Sequence, residues 1–97
     1  MITRHYLRSR NTCKVTFELA GVTPGSQVFL VGDFNHWNRA ATPMRRAGGC
    51  YTVTIELECG HSYHFRYLVD GADWVNDSGA DRYSVNAYGS LNCVISV

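Results

Sequence analysis

Apolar and polar residues alternate with a period of two along most of this chain, and no stretch sustains a helical period. That pattern suits strands with one buried face and little else. In residues 12–19, Cys13, Val15, Phe17 and Leu19 fall on one side, and Lys14, Thr16 and Glu18 on the other. Residues 51–57 and 62–69 repeat the pattern, the latter with Tyr63, Phe65, Tyr67 and Val69 opposite His64, Arg66 and Leu68. Residues 27–31 are apolar on both sides, as a central strand is, and 42–46 read as a short edge strand. A closing strand is predicted over 91–97, with Asn92 exposed beside buried Cys93, Ile95 and Val97. Gly21 to Gly25, Gly48-Gly49 and Asp70-Gly71 mark turns. The last of these predicts a tight hairpin that returns through Trp74 and Val75. Residues 76–89 read as polar and irregular. Together these signals predict an all-β fold, an immunoglobulin-like antiparallel β-sandwich of about seven strands over residues 12–97. Residues 1–11, with Arg4, Arg8 and Arg10, are expected to form a basic, solvated arm.

A 97-residue chain makes one domain with one modest core. Its 45% hydrophobic and 18% charged content is that of a soluble globular protein. No apolar stretch reaches the roughly 18 residues that span a bilayer, and the first ten residues lack the apolar core of a secretory signal, so a cytoplasmic location is expected. Nine Lys and Arg against eight Asp and Glu give a net charge of +1, which leaves no broad basic surface for nucleic acid or membrane. The four cysteines read as reduced. Cys50 and Cys59 flank one predicted strand, which holds them roughly 30 Å apart, and only Cys13 with Cys93 stays open as a pair. Cys59, His61 and His64 resemble a zinc string, but strand alternation turns His64 away from the other two. Asp70, Asp73, Asp77 and Asp81 lack the spacing of a calcium loop and suit turns better. His36, His61 and His64 read as solvated surface, and no cofactor or metal is expected.

Three features fit poorly into a purely structural account. Trp37 stands at the tip of the polar loop 32–38, Trp74 stands just past a tight turn, and Arg66 lies between them on the outward face of a strand. A pyranose ring presents an apolar C–H face that packs flat on an indole, with hydroxyls at its edge for hydrogen bonding. Arg66 and Asn92 offer donors in fixed geometry for those hydroxyls. A cross-strand ion pair of Arg66 with Glu56 is the competing structural role. Burying roughly 100 Å² on each indole at ~25 cal/mol/Å² contributes about 5 kcal/mol. After the cost of ordering the ligand, that corresponds to a Kd of roughly 10 μM to 1 mM.

These residues also carry a family resemblance. Gly32-Asp-Phe-Asn-His-Trp-Asn38 resembles the G-[DS]-F-N-x-W-[NS] signature of carbohydrate-binding modules of family 48, the glycogen-binding or isoamylase N-terminal early set domains. The stretch from Tyr63 to Gly71 followed by Trp74 is similar to the family's Y-x-[FY]-[KR]-[FY]-x-[VI]-D-G-x-W segment. Asn86-Ala-Tyr-Gly-Ser-Leu-Asn92 is similar to its closing N-x-[FY]-G-x-x-N. The resemblance, which extends to short free-standing bacterial versions, covers residues 13–97. It implies non-catalytic binding of an α-1,4-linked glucan such as glycogen, starch or maltooligosaccharides, with Trp37, Arg66, Trp74, Tyr88, Ser90 and Asn92 in contact. Relative to the kinase β-subunit form of this family, Arg66 replaces Lys, Tyr88 replaces Leu, and Ala72-Asp73 lengthens the turn before Trp74 by one residue.

Two other readings stay open. The module could dock to a glucan-metabolising enzyme, or to a second copy of itself, without binding sugar. Independent catalysis fares worst, because glycosidases with this domain keep their carboxylate pair in a separate barrel that 97 residues cannot contain. At most the chain would serve as an accessory domain to such an enzyme.

Overall fold

The computed structural model describes residues 1–97 and is all-β, with nine strands and one 3-10 turn. The strands are β1 (Ile2–Leu7), β2 (Thr12–Leu19), β3 (Val28–Gly32), β4 (Pro43–Ala47), β5 (Cys50–Glu58), β6 (Ser62–Val69), β7 (Asp73–Val75), β8 (Arg82–Val85) and β9 (Leu91–Ser96). All pairings are antiparallel, in the order β1-β2-β5-β4-β3-β6-β9-β8, with β7 added on β6. The array curls into two facing layers because β4 serves both, pairing with β5 in one and with β3 in the other. The alternation described above becomes the core: Cys13, Val15 and Phe17 from one layer meet Leu30, Phe65, Tyr67, Cys93 and Ile95 from the other, all at 0% exposure. Phe17 and Phe65 make an edge-to-face contact with centroids 5.0 Å apart, the preferred aromatic geometry.

Both strands beyond the expected seven lie at open edges. Residues 2–7 are not a solvated arm. They form β1, paired with β2 along its whole length from Ile2 opposite Phe17 to Leu7 opposite Thr12. Arg4 sits opposite Val15 in this register, on the core-facing side, so its charge hides the strand pattern in the sequence. Its Nη2 donates to both carboxylate oxygens of Asp81, at 2.8 and 2.7 Å, which offsets that charge. The 76–89 stretch likewise contains β8, a four-residue edge strand on β9. Asp77 anchors the chain ahead of it, accepting from the Tyr67 hydroxyl at 2.7 Å and from the Gly79 N–H at 2.7 Å. Burial, then the bond to Asp77, pushes the Tyr67 phenol far above its ordinary pKa, so it stays a neutral donor. All four cysteines are free thiols, and burial raises the pKa of both Cys13 and Cys93.

The outer face of the β3-β6-β9 layer is also partly buried. Pairing puts Val31 opposite Arg66, Leu68 opposite Trp74, and Val94 opposite His64. Val31, Leu68 and Val94 are at most 2% exposed, yet they stand outside the core cluster. They form an apolar floor on the face that carries Arg66 and Trp74. The same alternation places Asn92 there, two residues from Val94. Asn92 is buried at 9% rather than exposed as expected, because this face is covered. Val97 and His64 are half-buried.

Candidate functional site

The loop that carries Trp37 is determined by residues 32–38. Gly32 is demanded by close approach: a Cβ there would stand 2.5 Å from the His64 carbonyl oxygen, 2.8 Å from Phe65 Cβ and 2.9 Å from Phe34 Cζ. The chain then makes one 3-10 turn over Asp33–Asn35. Asn35 spends its amide on that turn, accepting from the Gly32 N–H at 3.1 Å and donating to the Leu30 carbonyl at 2.9 Å and Thr42 Oγ1 at 3.0 Å. Phe34 points inward, with its ring 6.1 Å from that of Phe17. His36 and Trp37 both take the left-handed conformation, each with φ of 56°. Two such non-glycine residues in succession cost about 1–3 kcal/mol each, and the loop holds them with the Trp37 N–H bond to the Gly32 carbonyl at 2.9 Å. Asp33 orients the indole. One carboxylate oxygen accepts from Trp37 Nε1 at 2.9 Å and the other from the His64 N–H of β6 at 2.7 Å. With its indole N–H satisfied, Trp37 keeps a ring face free for an apolar partner.

Trp74 reaches the same place by a different route. β6 turns through Asp70 and Gly71, with φ of 53° and 70°. The turn is fixed by Asp70 Oδ1 accepting from the Gln27 N–H at 2.9 Å and by the Asp70 N–H donating to the Gln27 carbonyl at 2.8 Å. Pairing resumes with Val69 opposite Asp73, which sets Trp74 opposite Leu68. The longer turn therefore keeps Trp74 on the face of Arg66. Arg66 does not pair with Glu56, which instead binds Arg10 at 3.3 Å. β6 is no neighbour of β5. The Arg66 Nε donates to Asn76 Oδ1 at 2.9 Å, its guanidinium lies 5.7 Å from the Trp74 ring centroid, and Asn76 in turn donates to the Leu91 carbonyl at 2.9 Å.

The third contribution is the turn between β8 and β9. Asn86 Oδ1 accepts from the N–H groups of Tyr88 at 2.9 Å and Ser90 at 3.1 Å, and Nδ2 donates to Asn92 Oδ1 at 3.1 Å. The Asn86 N–H closes the turn on the Ser90 carbonyl at 2.8 Å. Tyr88 is thereby held out at 92% exposure with its ring free.

All six residues singled out in the sequence, Trp37, Arg66, Trp74, Tyr88, Ser90 and Asn92, line one concavity of about 620 Å³. Trp37 and Trp74 are half-buried, and the Trp74 ring carries the guanidinium groups of Arg39 and Arg66. Two further residues complete the lining. Asn86 was legible only as part of the closing motif, and its network of backbone bonds has no sequence signal of its own. Arg39 belongs to none of the motifs, and its guanidinium lies 5.4 Å from the Trp74 centroid. No carboxylate, histidine or cysteine lines the concavity. Such a surface can stack and hydrogen-bond a ligand, but it holds no group suited to acid–base work near neutral pH.

Compared with known families, residues 13–97 match the model described as the glycogen recognition site of AMP-activated protein kinase. A search of curated proteins found no match.

Proposed function

The chain belongs to the family of the AMP-activated protein kinase glycogen recognition site, a non-catalytic carbohydrate-binding module, and from that premise we propose that it binds an α-1,4-linked glucan by stacking on Trp37 and Trp74. The observation that carries this reading is the convergence of both indoles with Arg66, Ser90 and Asn92 around one concavity. Sugar rings pack on the indoles, and the terminal N–H groups of Arg66, which spend no hydrogen bond on the protein, meet the hydroxyls at the ring edge. Tyr88 adds an exposed third aromatic at the rim. The apolar floor of Val31, Leu68 and Val94 keeps water from beneath the platforms. Isothermal titration with maltoheptaose and β-cyclodextrin should give a Kd of roughly 10 μM to 1 mM, weakened strongly in Trp37→Ala. No heat from wild type up to several millimolar would sink the reading.

A second reading, docking to a glucan-metabolising enzyme or to another copy, draws on the open edge at β8. Tyr83, Val85 and Leu91 are exposed there at 43%, 68% and 45%. It predicts a dimer or a co-purifying enzyme, and a strictly monomeric species by light scattering that retains neither would count against it.

A further inference from the structure

Arg39 is the one lining residue that the glucan reading leaves without a task. It is exposed, it follows the Trp37 loop, and it shares the Trp74 ring with Arg66, the two guanidinium carbons lying 5.4 and 5.7 Å from the centroid. The carboxylates of the chain that meet basic groups do so at Met1, Arg4, Arg10 and His61, so neither Arg39 nor Arg66 is neutralised by one. In a chain of net charge +1, two unpaired guanidinium groups thus converge on one concavity that no acid lines. Each guanidinium gains a cation–π contact with the Trp74 ring, but no carboxylate neutralises the two like charges. An anion in the concavity would. Neutral hydroxyls are already served by Arg66, Ser90 and Asn92, whereas the planar fork of a guanidinium matches the oxygens of a phosphate in bidentate geometry.

We propose that the concavity takes a glucan bearing a phosphate monoester, and that Arg39 is the residue that recognises the phosphate. The inference rests on the glucan reading and names the class of glucan. The two arginines divide the task. Arg66 is pinned through Nε to Asn76 at 2.9 Å. Arg39 makes no hydrogen bond within the chain, so its fork can leave the indole face for an incoming phosphate, which carries about −1.5 to −2 at neutral pH. The sugar ring then takes the indole face that Arg39 vacates.

The test is isothermal titration of the full chain with maltoheptaose, maltoheptaose 6-phosphate, glucose 6-phosphate and inorganic phosphate, at low and high salt. The phosphorylated oligosaccharide should bind about tenfold tighter than the neutral one in dilute buffer, a ratio that shrinks toward unity at high ionic strength. Arg39→Gln should lower the ratio below about twofold, and Arg39→Lys should leave an intermediate value. Arg10→Gln, which removes a cation outside the concavity, should leave it unchanged. Equal affinities for the two oligosaccharides in wild type would overturn the proposal while leaving glucan binding intact. So would a preference that survives in Arg39→Gln. Glucose 6-phosphate or inorganic phosphate binding as tightly as the phosphorylated oligosaccharide would overturn it too, because the site would then read the anion without the glucan. If neither oligosaccharide binds, the glucan reading fails and takes this one with it.

Discussion

Trp37 and Trp74 line the same concavity but are held by different means. The Trp37 platform is local. Its backbone bond runs to Gly32 and its indole bond to Asp33, so residues within one short loop, with the His64 N–H, fix both position and tilt. The Trp74 platform is built by relay. It sits on a three-residue strand, its indole N–H makes no hydrogen bond in the chain, and its neighbour Arg66 is held by Asn76, which is held by the Leu91 carbonyl. A local platform is ordered before a ligand arrives and costs little to bind against. A relayed platform can adjust, which suits a curved polymer whose successive rings do not lie in one plane. The chain thus pairs one fixed and one adaptable surface.

The contrast is most sharply broken at Gly32. Gly32→Ala places a Cβ against the His64 carbonyl oxygen and Phe65 Cβ, neither of which is a flexible tip that can move aside, and against the end of the Phe34 ring. Overpacking of this kind costs about 3 kcal/mol, read as a lower denaturant midpoint, and the Trp37 loop should lose its geometry with it. A midpoint unchanged from wild type would show that the loop is less determined than its contacts imply.

Truncating the indoles compares the platforms directly. Trp37→Ala removes a fixed surface, and losing roughly 100 Å² of stacking at ~25 cal/mol/Å² weakens glucan binding by about 2.5 kcal/mol, about 70-fold. Trp74→Ala should cost less, about tenfold, because the Arg39 guanidinium lies over its ring and a sugar must displace it. Equal losses in titration would erase the distinction. One step along the relay, Asn76→Ala frees the Arg66 Nε and orphans one bond to Leu91, and should lower stability by about 1 kcal/mol. It should also broaden the Trp74 emission in a Trp37→Phe background, where Trp74 is the only indole left.

The same difference explains what the sequence made legible. Strands with one buried face, such as Thr12–Leu19, announce themselves by period. The Trp37 loop is equally readable, because most of its constraints lie within a few residues and appear as a string of Gly32, Asp33, Asn35 and Trp37, and only the His64 N–H and the close approach at Gly32 tie it to another strand. What was hidden depends on contacts between distant residues. β1 was masked by Arg4 on its core-facing side, which is tolerable only because Asp81, 77 positions away, meets it. β8 is an edge strand with little apolar burial to impose a pattern. Asn92 was expected at the surface because one strand does not reveal that its outer face lies under others. Arg39 carries no motif at all, since only the fold brings it over Trp74.

The smallest expected effect lies where the relay is tied to β1. Trp74 opens a segment that ends at Asp81, whose N–H donates to the Val94 carbonyl at 3.0 Å. Burial alone would raise the pKa of the Asp81 carboxyl. The Ser96 N–H at 2.8 Å and the Arg4 guanidinium outweigh that and hold it below the ordinary carboxylate value. A depressed pKa means that the contribution to stability is present above the ordinary value and is lost as pH falls through the folded one. Asp81→Asn should therefore be less stable than wild type at pH 7, by under about 1 kcal/mol because the pair is partly exposed and screened. The gap should close on acidification. At pH 7 the substitution should perturb the emission of a variant that keeps only Trp74 and leave one that keeps only Trp37 unmoved. If both indoles respond alike, the Trp37 platform is not local, and the two surfaces are one cooperative unit.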